Sequence, residues 1–421
     1  MFSICKITAI WYNGFMKRII ITVVLCFFGM TAFTQDMSYY TNQYMRQDGT
    51  FAERLIVLES VRNAGLTGIG EFYHNALKFL LLRVPDIKTK TEQDAAEKSA
   101  VILSQGLGAE KYTDAALELW QTVTTFDVAG VANANEGNAI QAALIALGQI
   151  NGRAFLPQIV QRLNNYNTQT YRNEAKRRVQ MAVIGCINAI EVFKDISGYR
   201  PVFFVYTGSY DPAVKQIAYN ALPNITEDPG EVISVIIQDA SNNPFIKYEA
   251  WKEMLRTKAP DSSKAKVAAI ALATGWNYST SNKVFLSHLR EMRKGAIDII
   301  RQYGAADNSV YENMDKSYSN NFINKEPDYD EIMLTLNALA ALKSEEAVGL
   351  LQKYLRELHE RRRNGAWGDK ERRIFQWVIS CIEVTGTKSE DVKSLLSSIE
   401  RNSDYTPFEQ GLARNALAKL N

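Results

Sequence analysis

Three histidines, two arginine clusters and a few paired carboxylates are the residues of this chain whose types could carry chemistry. His74, His288 and His359 fall on three widely separated helical stretches. None has a second His, Cys or carboxylate at metal-ligand spacing that stands out from the background, and no CxxC pattern is present, so no metal site is expected. A nucleophile elbow, a phosphate-binding loop and a dinucleotide fingerprint are also missing from the sequence. The stretch GLTGIG at residues 65–70 is glycine-rich, but no strand leads into it, and it reads as a turn between helices. Glu345-Glu346 and Asp328/Asp330 could be acid–base couples by residue type. Each pair stands at an apparent helix start, where carboxylates complement the positive end of the helix dipole. The chain is therefore expected to hold no catalytic residue and no cofactor.

The arginine clusters suggest binding instead. Arg172, Lys176, Arg177 and Arg178 open one helix. A second group, Arg356, Arg361, Arg362, Arg363, Lys370, Arg372 and Arg373, surrounds a turn at Trp367, with Trp377 nearby. Guanidinium groups beside indole rings can hold an acidic protein, an anionic lipid head group or an anionic glycan through cation–π and charge-assisted contacts. The alternative is a solvated helix exit, where Arg complements the C-terminal dipole. If the cluster binds, reversing Arg361, Arg362 and Arg363 to Glu weakens partner capture and leaves the melting temperature unchanged. Tyrosines supply a second candidate surface, since Tyr39, Tyr40, Tyr44, Tyr303, Tyr311, Tyr318 and Tyr329 all read as loop or helix-end residues. The residues expected to contact a partner are Arg361, Arg362, Arg363, Trp367, Arg372, Arg373, Tyr311 and Tyr318.

The elements that must position these residues are helices. DPAVKQIAYNAL at 211–222 recurs as NPFIKYEAWKEM at 243–254 and TPFEQGLARNAL at 406–417. Each copy opens with a helix-capping residue followed by Pro, whose missing N–H costs nothing at the first helical position. Ala218, Ala250 and Ala413 fall at the same place in the three copies. Leu147, Ile190, Leu222, Leu255, Ile300, Leu342 and Leu420 read as equivalent core positions, at intervals that suit helical-pair repeats. The expected fold is an all-α superhelix, or solenoid, of about nine or ten helical pairs over residues 51–421. Residues 199–207 fit either a short strand, by their β-branched and aromatic content, or a helix, by their place in the alternation. Residues 305–330, rich in Asn, Ser and Tyr, read as a bend or a protruding loop with at most one short helix.

The N-terminal residues read as export machinery. Met16-Lys17-Arg18 begins a basic segment, residues 19–28 are apolar, and Ala32 and Thr34 suit a cleavage site before Gln35. Residues 1–34 are thus expected to be an upstream extension plus a signal peptide, with retention as an anchor the alternative, and residues 35–50 a mobile lead-in. Three of the 48 basic residues and no acidic one lie in that segment, leaving the remainder close to neutral. Export and the absence of a basic excess both argue against nucleic acid. Two cysteines, Cys186 and Cys381, remain beyond the signal segment, too far apart in a repeat array to pair.

The helix openings at 211–222 and 243–255, with AALIALGQINGRAFLPQIVQRL at 142–163 and NALAALKSEEAVGLLQKYL at 337–355, resemble HEAT-like repeats of the bilin-lyase type. The resemblance implies a binding scaffold without chemistry, and a polar ladder of acidic caps and basic residues between repeats. Asp211, Lys215 and Lys247 match that ladder, whereas Asn243 and Thr406 lack the acid. The resulting expectation is an exported scaffold, periplasmic or secreted in a diderm bacterium, that binds a partner protein. Two other readings stay open: a glycan- or lipid-binding envelope module working through the Trp/Arg turn, and an exported enzyme subunit acting on an envelope polymer.

Overall fold

In the computed structural model, residues 37–127, 136–324 and 326–420 are described, and among them every regular element is helical. The segment read as a signal peptide and most of the loop at 125–135 lie outside the described residues. The chain divides into two compact units, one ending at Ile225 and the other beginning at Thr226.

The first unit opens with a short helix over residues 37–44, α1. It continues with α2 (Phe51–Asn63), α3 (Gly70–Arg83), α4 (Lys90–Ala109), α5 (Ala116–Thr125) and α6 (Asn138–Gln149). Then come α7 (Leu156–Thr168), α8 (Asn173–Phe193), α9 (Tyr199–Thr207) and α10 (Pro212–Ile225). The even-numbered helices α2 to α10 pack side by side as one layer, and α3, α5, α7 and α9 back them as a second. The second unit repeats this plan. Its helices are α11 (Gly230–Gln238), α12 (Pro244–Arg256), α13 (Asp261–Asn277), α14 (Lys283–Tyr303) and α15 (Ser309–Ile323). They are followed by α16 (Tyr329–Leu342), α17 (Glu345–Arg363), α18 (Asp369–Thr385), α19 (Glu390–Arg401) and α20 (Pro407–Leu420). Here α12 to α20 form the even layer and α11 to α19 the odd one. Each unit is thus a stack of helical pairs, the α-α superhelical arrangement in which each pair buries its apolar stripe against its neighbours.

The recurring motif starts α10, α12 and α20, all in the even layers. Ala218, Ala250 and Ala413 are completely buried. The caps act as their residue types require. Asn243 Oδ1 accepts from the Ile246 N–H at 3.1 Å, and Thr406 Oγ1 accepts from the Glu409 N–H at 3.3 Å. In the first unit α6 and α8 approach closely, where a Cβ on Gly185 would meet the Cα of Gln141 at 3.0 Å. Residues 199–207 form the helix α9.

Four local expectations change. Residues 305–330 contain α15, whose Val310, Met314, Tyr318 and Phe322 are buried on one face. The amides that made this stretch look like a loop are satisfied within the helix. Asn313 Nδ2 donates to the Ser309 carbonyl and Asn321 Nδ2 to that of Ser317, each at 2.8 Å. Residues 35–50 include α1, and Tyr44 is fully buried against Phe72 and Phe79. On α12 the core position is Met254, fully buried, whereas Leu255 is 45% exposed. Finally, Lys247 joins no ladder. It is 1% exposed, and its Nζ donates to the carbonyls of Ile237 and Asp239 at 2.5 and 2.6 Å, closing the C-terminus of α11.

A polar ladder between successive even helices does exist; Asp211 belongs to it as expected, and its other members are residues the repeat pattern did not single out. Glu92 of α4 accepts the Phe51 N–H at the start of α2, and Glu97 accepts the Asn138 N–H at the start of α6. Lys176 of α8 pairs with Asp211 at 2.6 Å, Arg293 of α14 with Glu331 of α16, and Arg372 of α18 with Glu409 of α20 at 3.7 Å. Several rungs satisfy N–H groups that the first turn of a helix leaves without an acceptor.

Candidate functional site: an apolar groove on the even helices

The even layer of the second unit carries a groove of about 890 Å³ across α14, α16, α18 and α20. From α16, Leu334, Ala340 and Ala341 supply small or aliphatic side chains to its lining. Trp377, Cys381 and Val384 of α18 line it as well, with Phe408 and Leu412 of α20. Val384 is 60% exposed and Phe408 63% exposed. The Trp377 Nε1–H donates to Asn337 Oδ1 at 3.3 Å, which fixes the indole orientation. Burial pushes the Cys381 thiol up to about 12, so at neutral pH it is a small apolar lining group rather than a nucleophile.

The charged groups in the groove lining are Arg301 and Arg373. Arg301 is held by Asp298 at 2.8 Å. Arg373 lies over the Tyr329 ring, 5.2 Å from its centroid, with no carboxylate partner among the described residues. The lining thus combines aromatic and aliphatic side chains with the polar Asn337, Gln376 and Ser380 and two arginines, of which Arg301 is paired.

The structure disperses the residues chosen from the sequence, and Arg373 alone among them lines the groove. Tyr318 is fully buried, stacked on Phe322 and on Tyr354 with ring centroids 3.7 Å apart in the latter pair. Its place in loop surface is corrected, because α15 turns it inward. Tyr311 accepts a hydrogen bond from the Ser344 hydroxyl at 2.9 Å. The Trp/Arg turn is an intramolecular clasp. Trp367 meets Phe375 edge-on, Phe375 stacks on Tyr405, and Tyr405 stacks on His359. Arg362 lies over Trp367 and Tyr405 and donates to the Asp404 carbonyl. Arg361 covers Phe322 at 4.5 Å, and Arg372 faces Asp369 and the buried Glu409. Arg363 stays exposed. The cluster looked free in sequence because the Asp404 carbonyl that Arg362 meets lies 42 residues away and the Glu409 that Arg372 faces lies 37 residues away.

Two of the histidines also have partners that spacing could not reveal. His74 Nε2 lies 2.9 Å from a Glu118 carboxylate oxygen, both residues being buried. His359 Nδ1 is 2.8 Å from the Tyr405 hydroxyl, and burial holds its pKa below the usual imidazole value. Neither arrangement assembles a third ligand or a nucleophile. Among the described residues no group of three or more His, Cys, Asp or Glu is placed to hold a metal ion. The carboxylate pairs stand at helix starts as expected: Asp328 caps α16 with Asp330 in its first turn, and Glu345 and Glu346 open α17.

No protein-family model matches the sequence, and no curated protein matches it either.

Proposed function

We propose that this chain is an exported, HEAT-like helical-repeat scaffold that binds a partner protein in the periplasm or cell envelope and carries out no chemistry. The observation that supports this reading is the groove on α14, α16, α18 and α20. An open groove lined by aromatic and aliphatic side chains, with Arg373 beside them, fits the apolar face of an amphipathic helix that also carries an acidic residue. Repeat stacking produces such surfaces as a consequence of burying the helices' other faces. Trp377 and Phe408 are the natural anchors, because large aromatic side chains carry a disproportionate share of interface energy.

The test is site-specific photocrosslinking in the native envelope. A photoreactive residue at position 408 should trap a discrete protein, and one at the exposed Leu82 of the first unit should not trap the same species. Failure to trap any protein from position 408, with a lipid or glycan recovered there instead, would overturn the reading.

A further inference from the structure

The connection between α7 and α8 separates two adjoining clefts whose chemistry differs from that of the groove. The larger, about 480 Å³, is lined by Trp120 of α5, Asp127, and Gln158, Gln161, Arg162 and Asn165 of α7. The smaller, about 230 Å³, reaches Phe204 and Tyr210. Tyr166, Gln169 and Tyr171 line both.

Among the described residues, the larger cleft has no aliphatic side chain in its lining. Its apolar surface consists of aromatic rings, and its polar surface is mostly carboxamide. A carboxamide presents an acceptor oxygen and a donor NH₂ side by side. Two neighbouring hydroxyls offer a matching acceptor and donor. Charges in and beside the clefts are already neutralised. Asp127 pairs with Arg162 and accepts from the Tyr166 hydroxyl at 2.8 Å, and Lys176 pairs with Asp211. One donor is left over. The Nε–H of Arg162 is buried without a partner, whereas buried donors ordinarily have one.

Several lining groups are also held in place. Phe155 stacks on the Trp120 indole at 5.6 Å, and the Tyr171 hydroxyl donates to Gln169 Oε1 at 2.6 Å. The Tyr210 hydroxyl donates to Asn167 Oδ1 at 3.0 Å, while Asn167 Nδ2 donates to the Pro201 carbonyl at 2.9 Å. Groups fixed before binding lose less freedom when a ligand arrives.

We infer that the α7–α8 clefts form a binding site for a neutral oligosaccharide. The C–H face of a pyranose ring packs against Tyr171, and its hydroxyls bond to the carboxamides of Gln158, Gln161 and Asn165, beside a Trp120 indole already covered by Phe155 and Arg162. A helical peptide needs aliphatic pockets and an extended one needs a free sheet edge, and the larger cleft offers neither. A phosphorylated or acidic ligand would need a cation that is not already paired. This site lies on the first unit and uses none of the groove residues, so it does not depend on the scaffold reading.

The test titrates the full chain with neutral hexasaccharides of glucose, xylose and N-acetylglucosamine, followed by saturation-transfer NMR and calorimetry. At least one series binds, and Gln158→Ala/Gln161→Ala weakens it by about tenfold or more, as expected for loss of one or two hydrogen bonds. Both glutamines are exposed, so the double variant keeps its melting temperature. Phe408→Asp in the groove leaves saccharide binding unchanged. The inference is overturned if no series binds at millimolar concentration. Binding that the glutamine variant leaves intact, or that Phe408→Asp abolishes, overturns it equally. Competition of the cleft by a peptide rather than a saccharide does the same.

Discussion

Arg293 of α14 and Glu331 of α16 form a two-point ion pair, Nε to Oε1 at 2.8 Å and Nη2 to Oε2 at 2.9 Å. Glu331 is wholly buried, and Arg293 also donates to the Gly275 carbonyl and lies 3.9 Å from the Trp276 ring centroid. A buried pair of this kind is costly to break, because the surviving charge keeps its desolvation cost and loses its counter-charge. Glu331→Leu alone should therefore destabilise the second unit by about 3–5 kcal/mol. The paired change Arg293→Met/Glu331→Leu should recover most of that loss. Urea unfolding of the three proteins measures both values.

Arg362 and Arg363 are adjacent in sequence and opposite in role. Arg362→Ala removes the hydrogen bond to Asp404 and the cover over Trp367 and Tyr405, and should cost about 1–3 kcal/mol. Arg363→Ala, at an exposed position, should stay within about 0.5 kcal/mol of the parent. The expectation that charge reversal across Arg361, Arg362 and Arg363 leaves melting unchanged is accordingly replaced. Thermal melts of the single variants decide it, and equal melting temperatures would refute the clasp.

Phe408→Asp tests the groove with little risk to folding, since the ring is 63% exposed. Loss of an anchor of this type should cost about 2 kcal/mol in partner affinity, roughly thirtyfold. The melting temperature should not move. Trp377→Ala should act in the same direction, and measured affinity for the photocrosslinked partner, once purified, reads both effects.

Glu253 on α12 gives stability a pH dependence. It is 3% exposed, and burial raises its pKa from 4.5 to about 7 despite Arg256 at 2.9 Å. Glu249, also buried, adds to the rise, while Lys252 opposes it. A carboxyl whose folded pKa is raised keeps its proton in the native state after the unfolded state has released it. Its contribution is full below pH 4.5 and is lost as pH rises to about 7. The loss is of order 3 kcal/mol as an upper figure. Glu253→Gln should flatten this part of the profile and raise stability at pH 8 relative to the parent. Chemical unfolding at pH 5 and pH 8 checks the sign, and a steeper fall in the variant would reject it.

Helices and their pairing were largely legible in the chain itself. A capping residue followed by Pro, then Ala at a constant offset, marks α10, α12 and α20 because helix starts are decided by neighbours within one turn. The α15 helix was not legible, because its buried face mixes Asn and Ser with apolar residues. Those polar groups are satisfied by carbonyls one turn back, which composition does not show. The shift from Leu255 to Met254 on α12 has a similar origin. Two adjacent apolar residues leave the helix phase undecided until α12 packs on α11, α13 and α14.

By itself the sequence determined that this protein is built from stacked helical pairs, since caps, breakers and apolar spacing act over a few residues. Which polar side chains remain available to a partner was decided by the tertiary structure alone. Arg362 meets the carbonyl of Asp404, 42 residues further on, and Lys370 meets that of Phe322, 48 residues back. Superhelical stacking brings such positions together, and it turns the Trp/Arg turn inward. The same stacking assembles the groove and the α7–α8 clefts from helices that share no local signal. A surface made by adjacent repeats exists only once the repeats have packed.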